Sequence, residues 1–177
     1  MTQLTLIIPC FNEEKRLKVQ EYIDYSKDNE IIFCFVNDGS NDNTDKIINE
    51  IILKTKNNFK ITLNKNFGKA EAVRQGIITL LNTQNFQFVG YWDADLAAPL
   101  TDIKEFINKF KSNKELKAVC GSRILRLGSS IRRSVFRHYI GRIFATVVSN
   151  MLKIPVYDTQ CGAKIFSSRI CRIYFFR

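Results

Sequence analysis

The sequence lacks the features that mark disulfide-rich, zinc-binding and membrane-spanning proteins. It has five cysteines, an odd number without C-x-x-C spacing, and a single histidine, so neither a disulfide framework nor a zinc site is indicated. We expect reduced thiols in a cytosolic protein. No apolar run approaches the ~20 residues that span a bilayer, and the chain opens on the strand-like LTLIIP instead of a signal peptide, so we expect no membrane span.

Two phosphate-binding signatures are also missing. The absence of G-x-x-x-x-G-K-[ST] and of G-x-G-x-x-G argues against a P-loop nucleotidase and against a dinucleotide-dependent enzyme. With 177 residues, of which 45% are hydrophobic, the chain can bury a sizeable core. We therefore expect one globular domain over residues 1–177.

Acidic residues are absent between Gly121 and Tyr157, in a chain whose net charge is +10. In this stretch, SSIRRSVFRHYIGRIF mixes arginines with apolar and aromatic residues, which predicts an amphipathic basic helix suited to an anionic membrane surface. A helix packed on the domain with a solvated basic face remains the alternative, and we interpret His138 as a packing or surface residue. The charge also suits nucleic-acid binding, but no recognised motif for it occurs, and we expect no nucleic-acid partner.

Short β-branched and aromatic runs alternate with segments of helical period, which predicts a mostly parallel sheet flanked by helices. Strands are predicted at 4–9, 31–36, 60–63, 86–92 and 117–121. Three apolar stripes predict helices: Ile47, Ile48, Ile51 and Ile52; Ala70, Val73, Ile77 and Leu80; and Ile103, Phe106, Ile107 and Phe110. Asp102 and Glu105 are spaced as a capping box for the last of them.

Polar residues follow each predicted strand, and in open α/β sheets ligands bind outside the carboxyl ends of the strands. Asp93 and Asp95 come directly after the apolar run FVGYW. Two carboxylates this close repel each other unless a cation lies between them, which predicts a site for Mg²⁺ or Mn²⁺. A turn or capping role for one of them ahead of Pro99 is the alternative.

The loop VNDGSNDNT places Asp38 and Gly39 at the end of the second predicted strand. Its Ser, Asn and Asp residues can cap the next helix, and its backbone amides can bind a ligand. A plain Asx turn with a helix cap is the alternative interpretation.

Six motifs in this order and spacing carry a family resemblance: IIPCFNEE, VNDGS, NFGKAEAVRQGI, DADLAAP, GSR and DTQCGAKIF. With them the sequence resembles family 2 glycosyltransferases of the GT-A fold, and more narrowly the branch of dolichyl-phosphate β-glucosyltransferases and polyprenol-phosphate glycosyltransferases. The similarity runs from Leu4 to about Phe166. It implies a Rossmann-like α/β fold of the nucleotide-diphospho-sugar transferase type.

The resemblance also implies an activity and its partners. An enzyme of this branch moves a sugar, here with glucose favoured, from a nucleoside diphosphate, here with UDP favoured, to a polyprenyl or dolichyl phosphate with inversion. It would work with Mg²⁺ or Mn²⁺ as a peripheral protein on the cytoplasmic face of a membrane. A family 2 transferase acting on a polysaccharide, lipopolysaccharide or protein glycan is the alternative, because the donor motifs are shared.

Position by position, the resemblance implies roles on the donor side. Glu13 would accept from ribose hydroxyls, and Asp38 would accept from the base or ribose. Lys69 would lie near the base and phosphates. Ala97 stands where many relatives have glutamine, which favours the glucosyl branch. The remaining implied donor-side residues are Pro9, Phe11 (more often tyrosine in the family) and Asn12 against the nucleoside, with Asp93 and Asp95 as the metal-diphosphate motif.

Other positions match motifs used for catalysis and for the acceptor. Arg123 would stabilise the departing diphosphate. Asp158 would act as base or, with an acceptor phosphate that is already ionised, mainly orient it; capping or pairing with an arginine is its alternative. The arginines near the acceptor phosphate would be Arg132, Arg133 and Arg137. Relatives continue beyond the equivalent of SSRICRIYFFR, so we expect this chain to be truncated at its C-terminus.

Overall fold

The computed structural model describes residues 4–28, 31–83, 85–122 and 161–175. The chain divides into two compact units, residues 1–119 with 163–177 and residues 120–162. The single-domain assignment therefore stays a prediction. Several predicted residues lie outside the described ranges: Arg123, Arg132, Arg133, Arg137, His138 and Asp158.

Strands and helices alternate through most of the described chain. The strands are β1 (Leu4–Cys10), β2 (Ile31–Asp38), β3 (Phe59–Leu63), β4 (Phe88–Trp92), β5 (Ala118–Cys120) and β6 (Ala163–Ser167). The helices are α1 (Val19–Asp28), α2 (Thr44–Leu53), α3 (Lys69–Thr83), α4 (Ile103–Ser112) and α5 (Ser168–Phe175), with one turn of 3₁₀ helix at Leu100–Asp102.

The six strands form one sheet in the order β3-β2-β1-β4-β6-β5. β1 pairs in parallel with both β2 and β4, and β2 pairs in parallel with β3. The predicted α/β fold with a mostly parallel sheet is confirmed. β6, which the sequence analysis did not predict, runs antiparallel to β4.

The central strands are buried because helices cover both faces of the sheet. On one face Ile7, Val36 and Val89 pack with Ile77 and Leu80 of α3. Such coverage explains why the strands of a parallel sheet read as unbroken apolar runs in the sequence.

Aromatic side chains fill the opposite face. Tyr22 of α1 is fully buried, and its ring centroid lies 5.2 Å from those of both Phe33 and Phe35 on β2. Further along the sheet, Trp92 of β4 packs against Phe106 of α4 with ring centroids 5.3 Å apart. These contacts fix α1 and α4 relative to the strands whose ends carry the polar loops.

Two local predictions about helices are wrong. Ala70 is exposed, and the buried stripe of α3 comprises Ala72, Gly76, Ile77, Leu80 and Leu81. The capping box is absent because the 3₁₀ turn already makes the backbone helical at Asp102 (φ −68°, ψ −20°), whose side chain makes no capping bond. Among the described residues, no helix combines the length and the apolar character needed to span a membrane.

Candidate functional site

A cleft of about 330 Å³ opens at the carboxyl ends of the parallel strands. It is lined by the ends of β1 and β2, by the loops that follow β1, β3 and β4, and by the start of α3. Of the residues implied on the donor side, the cleft brings together Pro9, Phe11, Glu13, Asp38, Lys69, Asp93 and Asp95. A cleft in this place is typical of ligand sites in open α/β sheets.

Asn12 holds the first two loops together. Its backbone N–H donates to Oγ of Ser40 over 3.1 Å, and its side-chain Oδ1 accepts from the N–H of Asn41 at 2.9 Å. The φ angle of Asn12 is +51°, in the left-handed region that asparagine tolerates better than most residues. This geometry gives Asn12 a structural reason to be asparagine.

The next residues of the same loop bond to the start of α2. The N–H of Glu13 donates to Oγ1 of Thr44 at 2.7 Å, and that of Glu14 donates to Oδ2 of Asp42 at 3.1 Å. Asp42 also accepts from the N–H of Thr44 through Oδ1 at 2.9 Å. The backbone that carries Glu13 is thus fixed by side chains from a loop some thirty residues away in sequence.

Asp38 is buried at the end of β2 and fastens the segment that leads into α3. Its Oδ1 accepts from the N–H of Phe67 at 2.9 Å and its Oδ2 from that of Gly68 at 2.8 Å. The Asx turn considered for this loop is made by Asp42, whose Oδ1 accepts from the N–H of Thr44 two residues on. The neighbouring Asn37 accepts from the N–H of Ser40 through Oδ1 at 3.0 Å. An ionised carboxylate offers about four acceptor positions, so these two bonds leave Asp38 the capacity to accept from a ligand.

Gly39 lets the loops after β2 and β3 approach each other. Its φ is +66°, and a Cβ atom there would lie 2.4 Å from the carbonyl carbon of Lys65. Any other residue would push the two loops apart. The close approach brings Phe67 and Gly68 within reach of Asp38.

The two aspartates after β4 have different surroundings. Oδ1 of Asp95 accepts from the N–H of Ala97 at 3.1 Å, so the turn role considered from the sequence is observed for Asp95. Asp93 instead accepts a hydrogen bond from the ammonium of Lys69, the first residue of α3. Leu96 has a φ of +53° and donates its N–H to the carbonyl of Asp93, which closes the turn.

The backbone around the two aspartates is held by two aromatic side chains from the same face of the sheet. The hydroxyl of Tyr22 donates to the carbonyl oxygen of Ala94 at 3.2 Å, and Nε1 of Trp92 donates to that of Ala98 at 2.7 Å. Both donors are buried side chains of the core. The loop is therefore fixed before any ligand arrives.

Glu13 adds a carboxyl group to those of Asp93 and Asp95 in the cleft. Its Oε1 accepts from Nη2 of Arg16 at 2.6 Å, whereas Oε2 is buried and has no hydrogen-bond partner among the described residues. Burial raises the pKa of Glu13 above its usual value; the guanidinium of Arg16 opposes this rise, and the carboxylates of Asp95 and Asp93 add to it. The cleft therefore favours a cation or a hydrogen-bond donor.

Sequence reasoning missed three residues of this neighbourhood. Arg16 lines the cleft and pairs with Glu13. In the sequence, only the i,i+3 spacing of the two residues indicates this contact. Lys164 of β6 lies opposite Tyr91 of β4 and donates to its hydroxyl at 2.7 Å. That pairing could not be found without knowing that β6 is a strand.

The carboxylates at the end of β4 fit a divalent metal ion. Asp93 and Asp95 offer hard oxygen ligands in one cleft, and both raise the pKa of Glu13, which places their charge close to it. Within the described ranges, no cluster of three or more metal-ligating side chains occurs. Mg²⁺ commonly binds through one or two carboxylates and completes its shell with phosphate oxygens and water, so such an ion would suit this arrangement together with a diphosphate.

Comparison with known proteins identifies the family. A family model described as "Glycosyl transferase family 2" matches residues 5–175. A dolichyl-phosphate beta-glucosyltransferase of Trichomonas vaginalis is 31% identical over 97% of this chain and 55% of its own length. The corresponding human enzyme is 31% identical over 93% of this chain and 55% of its own length. The chain thus spans about half the length of these curated relatives, and the resemblance to their branch is confirmed.

Solved structures agree on the fold. One of them is glucosyl-3-phosphoglycerate synthase from Mycobacterium tuberculosis, solved with Mn²⁺, UDP-glucose and phosphoglyceric acid. The match covers 96% of this chain and 58% of the synthase chain, with a TM-score of 0.65 and 16% sequence identity. At this identity the likeness concerns the fold alone. The predicted GT-A fold is confirmed.

The electrostatics of the cleft predict how Glu13 titrates. We expect its pKa to exceed the usual value of about 4.3 and to fall in the variant Asp95→Asn, because that change removes a nearby negative charge. Carbon-13 NMR of the Glu13 carboxyl group across a pH titration measures both quantities. Asp24→Asn, at an exposed position of α1, should leave the pKa of Glu13 unchanged. A Glu13 pKa that ignores Asp95→Asn would contradict this account of the cleft.

Proposed function

The chain belongs to glycosyl transferase family 2, and on that basis we propose that it transfers a sugar, with glucose favoured, from a UDP-linked donor to a dolichyl or polyprenyl phosphate. The observation that carries the proposal is the cleft that gathers Glu13, Asp38, Lys69, Asp93 and Asp95 at the carboxyl edge of the sheet. The names of the relatives supply the acceptor class.

The donor nucleoside would bind on the β1 side of the cleft. Phe11 is 37% exposed and offers a ring on which a base can stack, beside Pro9. The buried Oε2 of Glu13 would accept a hydrogen bond from a ribose hydroxyl, since a buried acceptor without a partner costs about 1–3 kcal/mol. Asp38 would accept from the base or ribose with its remaining lone pairs.

The diphosphate would bind on the β4 side. Asp93 and Asp95 would hold Mg²⁺ or Mn²⁺, which supplies charge stabilisation for the leaving diphosphate. The ammonium of Lys69 lies in the same cleft and would bind a diphosphate oxygen. Arg123, outside the described residues, would contribute a second fixed positive charge on the leaving group.

The acceptor phosphate would attack the anomeric carbon from the side opposite the diphosphate. One acceptor oxygen forms the new bond to the anomeric carbon while the bond to the diphosphate breaks, and UDP leaves with the electron pair. A phosphate monoester is largely ionised at neutral pH, so Asp158 would orient it more than deprotonate it. Arg132, Arg133 and Arg137 would pair with the phosphate and with the anionic headgroups around it.

This arrangement suits a protein that is peripheral on the cytoplasmic face of a membrane. Each basic residue near an anionic surface contributes about 1 kcal/mol to binding. Nucleic acid is not an expected partner, because the sequence carries no recognised nucleic-acid-binding motif and such binding would leave the pair Asp93 and Asp95 without a role.

A donor-by-acceptor screen tests the proposed reaction. We expect transfer of radiolabel from UDP-glucose, in preference to UDP-GlcNAc or GDP-mannose, to dolichyl or undecaprenyl phosphate. Incorporation only into soluble glycans would instead support the alternative family 2 acceptors. A protein that binds generic oligonucleotides but does not respond to UDP with Mn²⁺ would contradict the transferase assignment.

The variant Asp95→Asn tests the metal ligands. It removes one carboxylate charge but keeps an oxygen that can accept from Ala97, so the turn should persist. We expect Mn²⁺-dependent UDP affinity to fall at least about tenfold, because affinity for a hard cation depends on the charge of its ligands. Calorimetry measures the affinity, and Asp102→Asn, at the start of α4, is the control. Unchanged affinity would count against Asp95 as a ligand.

Charge reversal tests the membrane-facing role of the basic stretch. Replacing Arg132, Arg133 and Arg137 with glutamate should abolish binding to anionic vesicles and transfer to a polyprenyl phosphate, while UDP binding persists. Vesicle binding by the unaltered protein should also weaken between low and physiological salt, because exposed charges are screened over ~8 Å at 0.15 M. Vesicle binding that survives the triple substitution, or that the unaltered protein lacks, would contradict this role.

A further inference from the structure

Lys69 and Asp93, which both line the cleft, form an ion pair. Nζ of Lys69 donates to Oδ1 of Asp93, and the two side chains are 50% and 30% exposed. One residue begins α3 and the other directly follows β4, so two separate elements set the pair. The cation therefore sits on an oxygen that the proposed function assigns to the divalent metal ion.

A divalent ion and an ammonium compete for this carboxylate. A divalent ion bound to Asp93 would place two positive charges beside Nζ of Lys69 and would repel it. The ammonium needs another anion once it leaves. The carboxylates Asp38 and Glu13 line the cleft as well, but the first is bonded to the N–H groups of Phe67 and Gly68, and the second is paired with Arg16.

Tyr91 offers a displaced Lys69 little compensation. Its ring centroid lies 5.7 Å from Nζ of Lys69, close enough for a weak cation–π contact. Nζ of Lys164 already lies 5.1 Å from the same centroid and donates to the hydroxyl. A second ammonium moving onto this ring would meet the first, so the favourable direction for Lys69 is towards a ligand anion in the cleft.

We propose that Lys69 is the resident counter-ion of Asp93, that the divalent ion displaces it, and that the displaced ammonium then binds the diphosphate. This inference rests on the proposed function. Lys69 would make binding of metal and nucleotide cooperative, because the diphosphate supplies both the missing metal ligands and the anion that receives the ammonium. The coupling is reciprocal, so each ligand raises the affinity for the other by the same factor.

The variant Lys69→Met separates the two halves of this role. Methionine has a similar length and no charge, so the packing at the start of α3 should persist. Without nucleotide, we expect Mn²⁺ to bind about tenfold more tightly than to the unaltered protein, because its competitor is gone. With saturating Mn²⁺, we expect UDP to bind about tenfold more weakly, because the diphosphate loses a cation; tenfold corresponds to about 1.4 kcal/mol.

Two further variants serve as controls. Lys54→Met removes a lysine that pairs with Glu50 at 2.6 Å on α2, away from the cleft lining, and should shift neither affinity by more than about twofold. Lys69→Arg keeps a cation beside Asp93. Without nucleotide, it should therefore bind Mn²⁺ as weakly as the unaltered protein does. Electron paramagnetic resonance of free Mn²⁺ gives the metal affinity, calorimetry gives the UDP affinity, and circular dichroism checks that each variant is folded.

The outcomes separate this inference from the proposed function. The proposed competition between Lys69 and the metal ion would be overturned if Lys69→Met bound Mn²⁺ no more tightly than the unaltered protein. The same conclusion would follow if neither protein bound Mn²⁺. Undiminished UDP affinity in the folded variant would overturn the transfer of Lys69 to the diphosphate. If the unaltered protein binds no UDP with Mn²⁺ present, the proposed function itself fails, whatever Lys69→Met does with the metal alone.

Discussion

The parallel pairing of β1 with β2 on one side and with β4 on the other is the constraint on which the site depends. Residues 4–10 align with residues 31–37, and residues 4–7 align with residues 88–91, so all three strands end at the same edge of the sheet. The end of β2 with Asp38 and the loops that carry Glu13 and Asp93 then meet in one cleft. A change of pairing or register would separate carboxylates that are far apart in the sequence.

Side chains bonded to backbone keep these loops in place once the strands have brought them together. Asn12 and Ser40 join the first two loops, Asp38 fastens the segment before α3, and Tyr22 and Trp92 hold the loop after β4. Each bond contributes only about 0.5–1.5 kcal/mol net, so the arrangement depends on the set of bonds and not on any one of them. Preorganised loops of this kind reduce the conformational entropy lost when a ligand binds.

Sequence reasoning found the fold class because apolar runs identify buried parallel strands. It found the pair Asp93 and Asp95 and the loop of Asp38 because they follow such strands, and most of the other cleft residues through the family resemblance. It failed where tertiary context decides the structure. β6 is a short strand that pairs antiparallel with β4, and without it the contact between Tyr91 and Lys164 could not be anticipated. The capping box failed because Asp102 itself belongs to a 3₁₀ turn and already has helical backbone angles. Ion pairs such as Lys69 with Asp93 depend on how α3 enters the cleft, which spacing does not encode.

We propose that the edge of the sheet formed by β1, β2 and β4 binds a nucleoside diphosphate together with a divalent ion. The most direct measurement is a crystal structure of the protein with UDP and Mn²⁺, in which anomalous scattering locates the metal. We expect one Mn²⁺ ion bound by carboxylate oxygens of Asp93 and Asp95 and by the diphosphate, with the ribose beside Glu13. Mn²⁺ bound away from both aspartates, or UDP bound outside this cleft, would contradict it.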